Sequence, residues 1–187
     1  MPNPSRRLAA TLLSLALLTP TLALAASTTQ HIADFMNAPG RLRGALSNIS
    51  KSSDATYARY LEMAIADVSD DELIRYDAAI MNNTLTPEDQ QTMLTYIDSP
   101  HGATLKIIFH GEPKDIKSSI SALPQDEQKQ AIDFISSPGM DKLITAFSTP
   151  EEQTREQALA DKLVCQELVG KNVALLKKYK AQGKCGG

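Results

Sequence analysis

The chain has 187 residues, with 19 Lys+Arg against 22 Asp+Glu and a formal net charge of −3. This mildly acidic balance argues against a phosphate-binding surface and so against nucleic acid as a partner. An aromatic content of 5% without tryptophan argues against stacking on bases or sugars.

The chain opens on an export pattern. Arg6 and Arg7 form a positive head, an apolar run follows from Leu8 to Leu24 with Pro20 inside it, and Ala23-Leu24-Ala25 is a small-residue cleavage site. A signal peptide is expected over 1–25. Ser5-Arg6-Arg7 hints at the twin-arginine route, but the strongly apolar core suits the general secretory route better. The run is too short, and too soon followed by polar residues, for a span that needs about 20 apolar residues. No stable membrane anchor is expected. Residues 26–187 are expected to form a single helical domain in the periplasm.

Helical periodicity dominates from there on. Ile32, Phe35 and Met36, then Leu42, Leu46 and Ile49, keep helical spacing on either side of Ala38-Pro39-Gly40, which predicts a helix that breaks at Pro39 and resumes. Tyr57, Leu61, Ala64, Ile65 and Val68 form the next stripe. Ser69-Asp70-Asp71-Glu72 reads as a capping box for a helix carrying Leu73, Ile74, Ala78 and Met81, ended by Asn82-Asn83. Thr86 is an N-cap candidate with Pro87 at the first helical position, where its missing N–H costs nothing. That helix, with Met93, Leu94 and Ile97, is interrupted at Ser99-Pro100, because the proline ring disfavours helical geometry in the residue before it. A new helix then carries Leu105, Ile107, Ile108 and Phe109, closed by Gly111-Glu112-Pro113. The same plan recurs over Gln125 to Ile135, a break at Ser137-Pro138, then Leu143, Ile144 and Phe147. Thr149-Pro150-Glu151-Glu152 is the strongest cap, and predicts a long helix to about Tyr179 that Gly170 weakens or bends. The fold class is therefore all-α, a bundle of kinked helices and helical hairpins ending in a long C-terminal helix.

Leu85-Thr86-Pro87-Glu88-Asp89-Gln90 leading to Tyr96-Ile97-Asp98-Ser99-Pro100 is echoed 38 positions later by Leu123 to Gln128 leading to Phe134-Ile135-Ser136-Ser137-Pro138. This is a degenerate internal repeat, and it describes paired helices rather than chemistry. Its helix-break motif comprises Ser99, Pro100 and Gly102, echoed by Ser137, Pro138 and Gly139; a third occurrence, Asp34 to Gly40, has Ala38 before Pro39. At Tyr96-Ile97-Asp98-Ser99-Pro100-His101-Gly102 the chain resembles the secreted proteobacterial family described as domain of unknown function 2059, best over about residues 85–147. The resemblance implies an exported α-helical fold in a Gram-negative bacterium, and no catalytic residues.

Cys165 and Cys185 are the only cysteines, and in an exported chain they most simply pair. An unbroken helix to Lys180 would climb about 22 Å from Cys165. The return to Cys185 spans at most about 18 Å. The chain must therefore double back at Gly183, or the helix must end sooner. The residues from Glu151 onward are mildly basic through Lys171, Lys177, Lys178, Lys180 and Lys184, either as complements to a helix dipole or as a dock for an acidic partner.

Catalytic chemistry finds no support. His31, His101 and His110 fit no common ligand spacing, so no metal site is expected. Ser99 and Ser137 precede proline, as helix caps do, rather than sitting in a nucleophile elbow. The recurrent Phe35, Tyr96 and Phe134 share one slot in their units, which points to core packing. No phosphate loop or dinucleotide fingerprint occurs, so no cofactor is expected. The sequence is thus expected to encode a non-enzymatic protein-binding module, such as an inhibitor or immunity-type protein for an envelope-targeting enzyme. First-turn acids Asp70, Asp71 and Glu88 are its candidate partner-binding groups. A carrier or sensor of an apolar ligand between kinked helices is the alternative, and a sizeable apolar cavity would distinguish it.

Overall fold

The computed structural model describes residues 19–112 and 115–185. Apart from residues 19–25, the expected signal segment lies outside them, as does Pro113. The described residues form eleven helices and no strand. These are α1 Thr19–Phe35, α2 Ala38–Ser52, α3 Ala55–Asp67, α4 Asp70–Thr84, α5 Pro87–Ile97, α6 Pro100–Phe109, α7 Ile116–Ser121, α8 Gln125–Ile135, α9 Pro138–Phe147, α10 Pro150–Leu168 and α11 Val173–Ala181. The all-α expectation holds. Among the described residues no helix is long and apolar enough to cross a membrane.

The repeated starts are caps of one type. Ser99 Oγ accepts the Gly102 N–H at 3.3 Å and Ser137 Oγ accepts the Met140 N–H at 3.5 Å, each ahead of a first-turn proline. In the third unit Asn37 replaces serine, in the left-handed region at φ 56°, and its Oδ1 accepts the Gly40 N–H at 3.1 Å. The first break therefore falls at Met36-Asn37, and Pro39 lies inside α2 rather than at the kink. The Asn37 amide also donates to Phe109 O at 3.1 Å, tying the start of α2 to the end of α6.

The capping boxes differ from expectation. Thr86 and Asp89 form the reciprocal box. Ser69 and Thr149 accept from Glu72 N and Glu152 N, but both glutamate side chains turn to distant partners, Lys162 and Arg41. Asn82-Asn83 does not end α4, which runs on to Thr84. The long C-terminal helix is also corrected. It stops at Leu168, Gly170 sits at φ 75°, and α11 begins at Val173 after an Asn172 cap. Short α7 was not foreseen; Ile116 and Ile120, four apart on one face, pack it into the core.

Burial divides into two apolar cores. One gathers Ile32, Phe35, Met81, Met93, Leu105, Phe134 and Leu143 from α1, α4, α5, α6, α8 and α9. The other gathers Leu42, Leu46, Tyr57, Leu61, Leu73, Leu163, Leu168 and Tyr179 from α2, α3, α4, α10 and α11. Each fully buried leucine contributes about 2 kcal/mol. The repeated aromatic slot converges in the first core: Phe35 meets Phe109 and Phe134 edge-on, both at 5.6 Å, and Tyr96 stacks on Phe134 at 4.4 Å. Ile107 and Ile144, apolar positions of the expected helices, point outward, 75% and 51% exposed. Helices α2 and α4 run through both cores. Ala38 and Leu42 on one, and Leu73 and Ala78 on the other, lie on opposite sides of the boundary.

Candidate functional site

A groove of about 560 Å³ lies between α10 and the chain from α11 to Cys185. Grooves beside Thr149 and beside Tyr96 reach about 310 and 230 Å³. Ala158, Asp161, Lys162, Cys165, Gln166 and Val169 form its α10 wall. Their alternating steps of three and one place them on a single helix face. Leu176, Lys180, Gly183, Lys184 and Cys185 form the opposite wall.

Two local devices hold that second wall. Cys165 and Cys185 are bonded, with α-carbons 5.7 Å apart, and a formed disulfide belongs to an oxidising environment. The break at Gly170, sooner than Tyr179, is what lets the chain return to Cys165. Helix α11 then ends in a Schellman turn, in which Lys184 N donates to Tyr179 O at 3.0 Å and Gly183 N donates to Lys180 O at 3.1 Å, with Gly183 at φ 74°. Beneath the turn, Tyr179 packs on Tyr57 at 6.0 Å, and the Lys184 ammonium lies 4.8 and 5.2 Å from the two ring centres.

The two walls together carry three lysines to one aspartate. The Tyr57 hydroxyl donates to Asp161 Oδ1 at 2.6 Å and Gln157 Nε2 donates to it at 3.1 Å, which turns that carboxylate toward the protein body. Burial, and then this hydrogen bond, push the Tyr57 phenol well above its ordinary pKa. Lys162 pairs with Glu72 at 3.0 Å. No carboxylate pairs with Lys180 among the described residues. Val169, 66% exposed, lines the groove just past the end of α10, and Val173, 59% exposed, lies one turn before Leu176 on α11.

A second polar constellation lies at the boundary of the two cores. The Arg41 guanidinium donates to both oxygens of Asp77, at 2.9 and 2.6 Å, and to Glu156 at 2.6 Å, with Glu152 at 3.5 Å and the Phe147 ring beneath it at 4.4 Å. Burial opposes the charge on Arg41, but the Asp77 and Glu156 bonds more than offset it and raise its pKa. Burial is the larger influence on Asp77 and Glu152, whose carboxyls are pushed above their ordinary values. Three carboxylates on one arginine make an ionic clasp between α2, α4 and α10. The arginine faces them rather than open space, so the arrangement serves packing rather than capture of a ligand.

The expected site residues fall in separate places. Asp70 pairs with Arg43 at 2.5 Å at the start of α4, with Asp71 beside it. Glu88 lies beyond the other end of α4, about 22 Å away along a helix of 15 residues. The three acids therefore do not form one patch. Ser99, Pro100, Gly102, Ser137, Pro138 and Gly139 all serve helix starts. His31 and His110 face Asp98 at 3.4 Å and the Asp34 carbonyl at 2.8 Å, and no group of His, Cys, Asp and Glu among the described residues could hold a metal ion. The groove was not foreseen as a site, although the basic composition of the C-terminal segment and the cysteine pair both pointed to its wall. The chain matches no family model, no curated protein and no solved structure.

Proposed function

We propose that this chain is an exported periplasmic helical module that binds a partner protein through the α10–α11 groove, as an inhibitor or immunity-type protein would. We further propose that it belongs with the secreted helical family resembled at Tyr96 to Gly102. The observation that carries the binding reading is the shape of the groove: about 560 Å³, with Ala158, Val169, Leu176 and the disulfide among its lining, and open along one side. A carrier of an apolar ligand removes most of that ligand's surface from water. An open groove does not, whereas it accepts a segment whose far side remains attached to a larger body. Phe35, Phe109 and Phe134 fill the space between the kinked helices of the repeat. The groove presents no convergent base and nucleophile, which favours binding over catalysis.

A photo-crosslinking amino acid placed at Val173, in cells that export the protein, tests this reading. One discrete adduct is expected at Val173 and none at exposed Ile107, and the adduct should vanish when Ala158→Trp fills the groove. Equal labelling at both positions, or an adduct indifferent to Ala158→Trp, would sink the proposal.

A further inference from the structure

We infer that the occupant of the groove is an acidic amphipathic helix of the partner protein, an inference that rests on the groove-binding reading above. The α10 wall from Ala158 to Val169 extends about 16 Å, three helical turns, which matches a helix of about 11 residues. Such a helix lays an apolar face into a groove through side chains at i, i+3, i+4 and i+7. Val169, Leu176 and the disulfide offer that face apolar contacts, and exposed Val173 lies one turn before Leu176 on α11.

Charge selects the sign of the partner. Lys180 and Lys184 stand on one wall; on the other, Lys162 pairs with Glu72, and Asp161, the single acid lining the groove, keeps its charge while accepting from Tyr57 and Gln157. Lys177 lies one turn before Lys180 on the same exposed side of α11. This is a positive island on a chain of net charge −3. An anionic membrane would answer the same charge, but a flat bilayer meets convex surfaces, and here the apolar residues line a concavity.

The full exported protein, with its disulfide intact, is titrated by fluorescence anisotropy against three probes. They are a labelled helical peptide of leucine and glutamate in amphipathic order, its counterpart with lysine for glutamate, and phosphatidylglycerol vesicles. The glutamate peptide should bind, and more weakly as salt rises. Lys162→Glu with Lys180→Glu should weaken it about tenfold, and Ala158→Trp should abolish it. The lysine peptide should not bind the native protein and should gain affinity for the double variant. Equal binding of both peptides, blocked by Ala158→Trp, would overturn the acidic partner while leaving the groove reading intact. Binding to vesicles in preference to either peptide would overturn the inference in favour of a membrane surface. Peptide binding indifferent to Ala158→Trp would overturn the groove itself.

Discussion

Alanine at four glycines should give four different results, because a new Cβ meets different neighbours at each. At Gly102 it would lie 2.1 Å from Ile97 O and 2.7 Å from Tyr96 O, backbone atoms in the last turn of α5. Relief requires the first turn of α6 to swing away by about 1 Å, which strains the Gly102 N–H bonds to Ser99 Oγ and Ser99 O. The lost cap costs about 1 kcal/mol and the lost backbone bond about 1 kcal/mol. Loosened packing of Leu105 adds to this, while the better helix propensity of alanine returns up to about 1 kcal/mol. A net loss of about 2 kcal/mol follows. At Gly40 the obstacle is the Asn37 side chain, at 2.4 Å. It can rotate away by giving up its cap and its bond to Phe109 O, so the expected loss is about 1 kcal/mol. At Gly139 the nearest atom is Met93 Sδ at 3.2 Å, a flexible end that yields, and the change should be near neutral. Gly44 has nothing within 4 Å and should gain up to about 1 kcal/mol. Urea denaturation followed by far-ultraviolet circular dichroism, with unchanged m-values, reads all four. The same loss at Gly102 and Gly139, or a loss at Gly44 comparable to that at Gly102, would refute the steric reasoning.

Removing the bridge by Cys165→Ser with Cys185→Ser should cost about 3 kcal/mol, from the freed loop between residues 20 apart, and should loosen α11; an unchanged denaturation midpoint would count against this. Burial raises the Glu152 carboxyl above its ordinary 4.5. The folded state therefore holds this proton more tightly, and the contribution is present below that value and lost as pH rises through the folded pKa. Glu152→Gln should flatten the fall of stability with rising pH above 4.5, and an identical profile would refute the assignment. Asp89 behaves oppositely: hydrogen bonds from Lys142 and Thr86 lower it to about 2, so its contribution exists above the ordinary 3.8 and disappears as pH falls through about 2. Asp89→Asn should cost about 1 kcal/mol near neutral pH and nothing below pH 2, read from the difference between the two denaturation curves.

Local signals were legible in the sequence and distant ones were not. Thr86, Ser99, Ser137 and Thr149 announce helix starts through residues within three positions, and all four cap as read. The shared aromatic slot pointed to core packing of Phe35, Tyr96 and Phe134, and Phe134 packs on both of the others. By contrast, Arg41 finds Asp77 and Glu156 at separations of 36 and 115 residues, and nothing in short-range spacing singles out those partners. Glu152 was misleading because a glutamate three residues after a threonine ordinarily closes a capping box, whereas the half-buried Arg41 competes for it here. The groove depends on where α10 stops. That end rests on Gly170 and the Asn172 cap, a weaker mark in the sequence than the proline-led starts.

The Arg41 clasp also governs which packing the helices adopt. Apolar faces slide past one another at little cost, and a bundle with many short helices has many near-equivalent alignments. A guanidinium committed to Asp77 and Glu156 does not slide: moving α2 by one turn carries Arg41 about 5.4 Å away and strands buried carboxylates. The clasp thus acts as an indexing pin, setting the register of α2 against α4 and α10 even though apolar replacements there need not be less stable. Methionine at Arg41, Asp77, Glu152 and Glu156 together should preserve helix content while broadening the amide resonances. Sharp, fully dispersed spectra of that variant would show that the apolar cores choose the register by themselves.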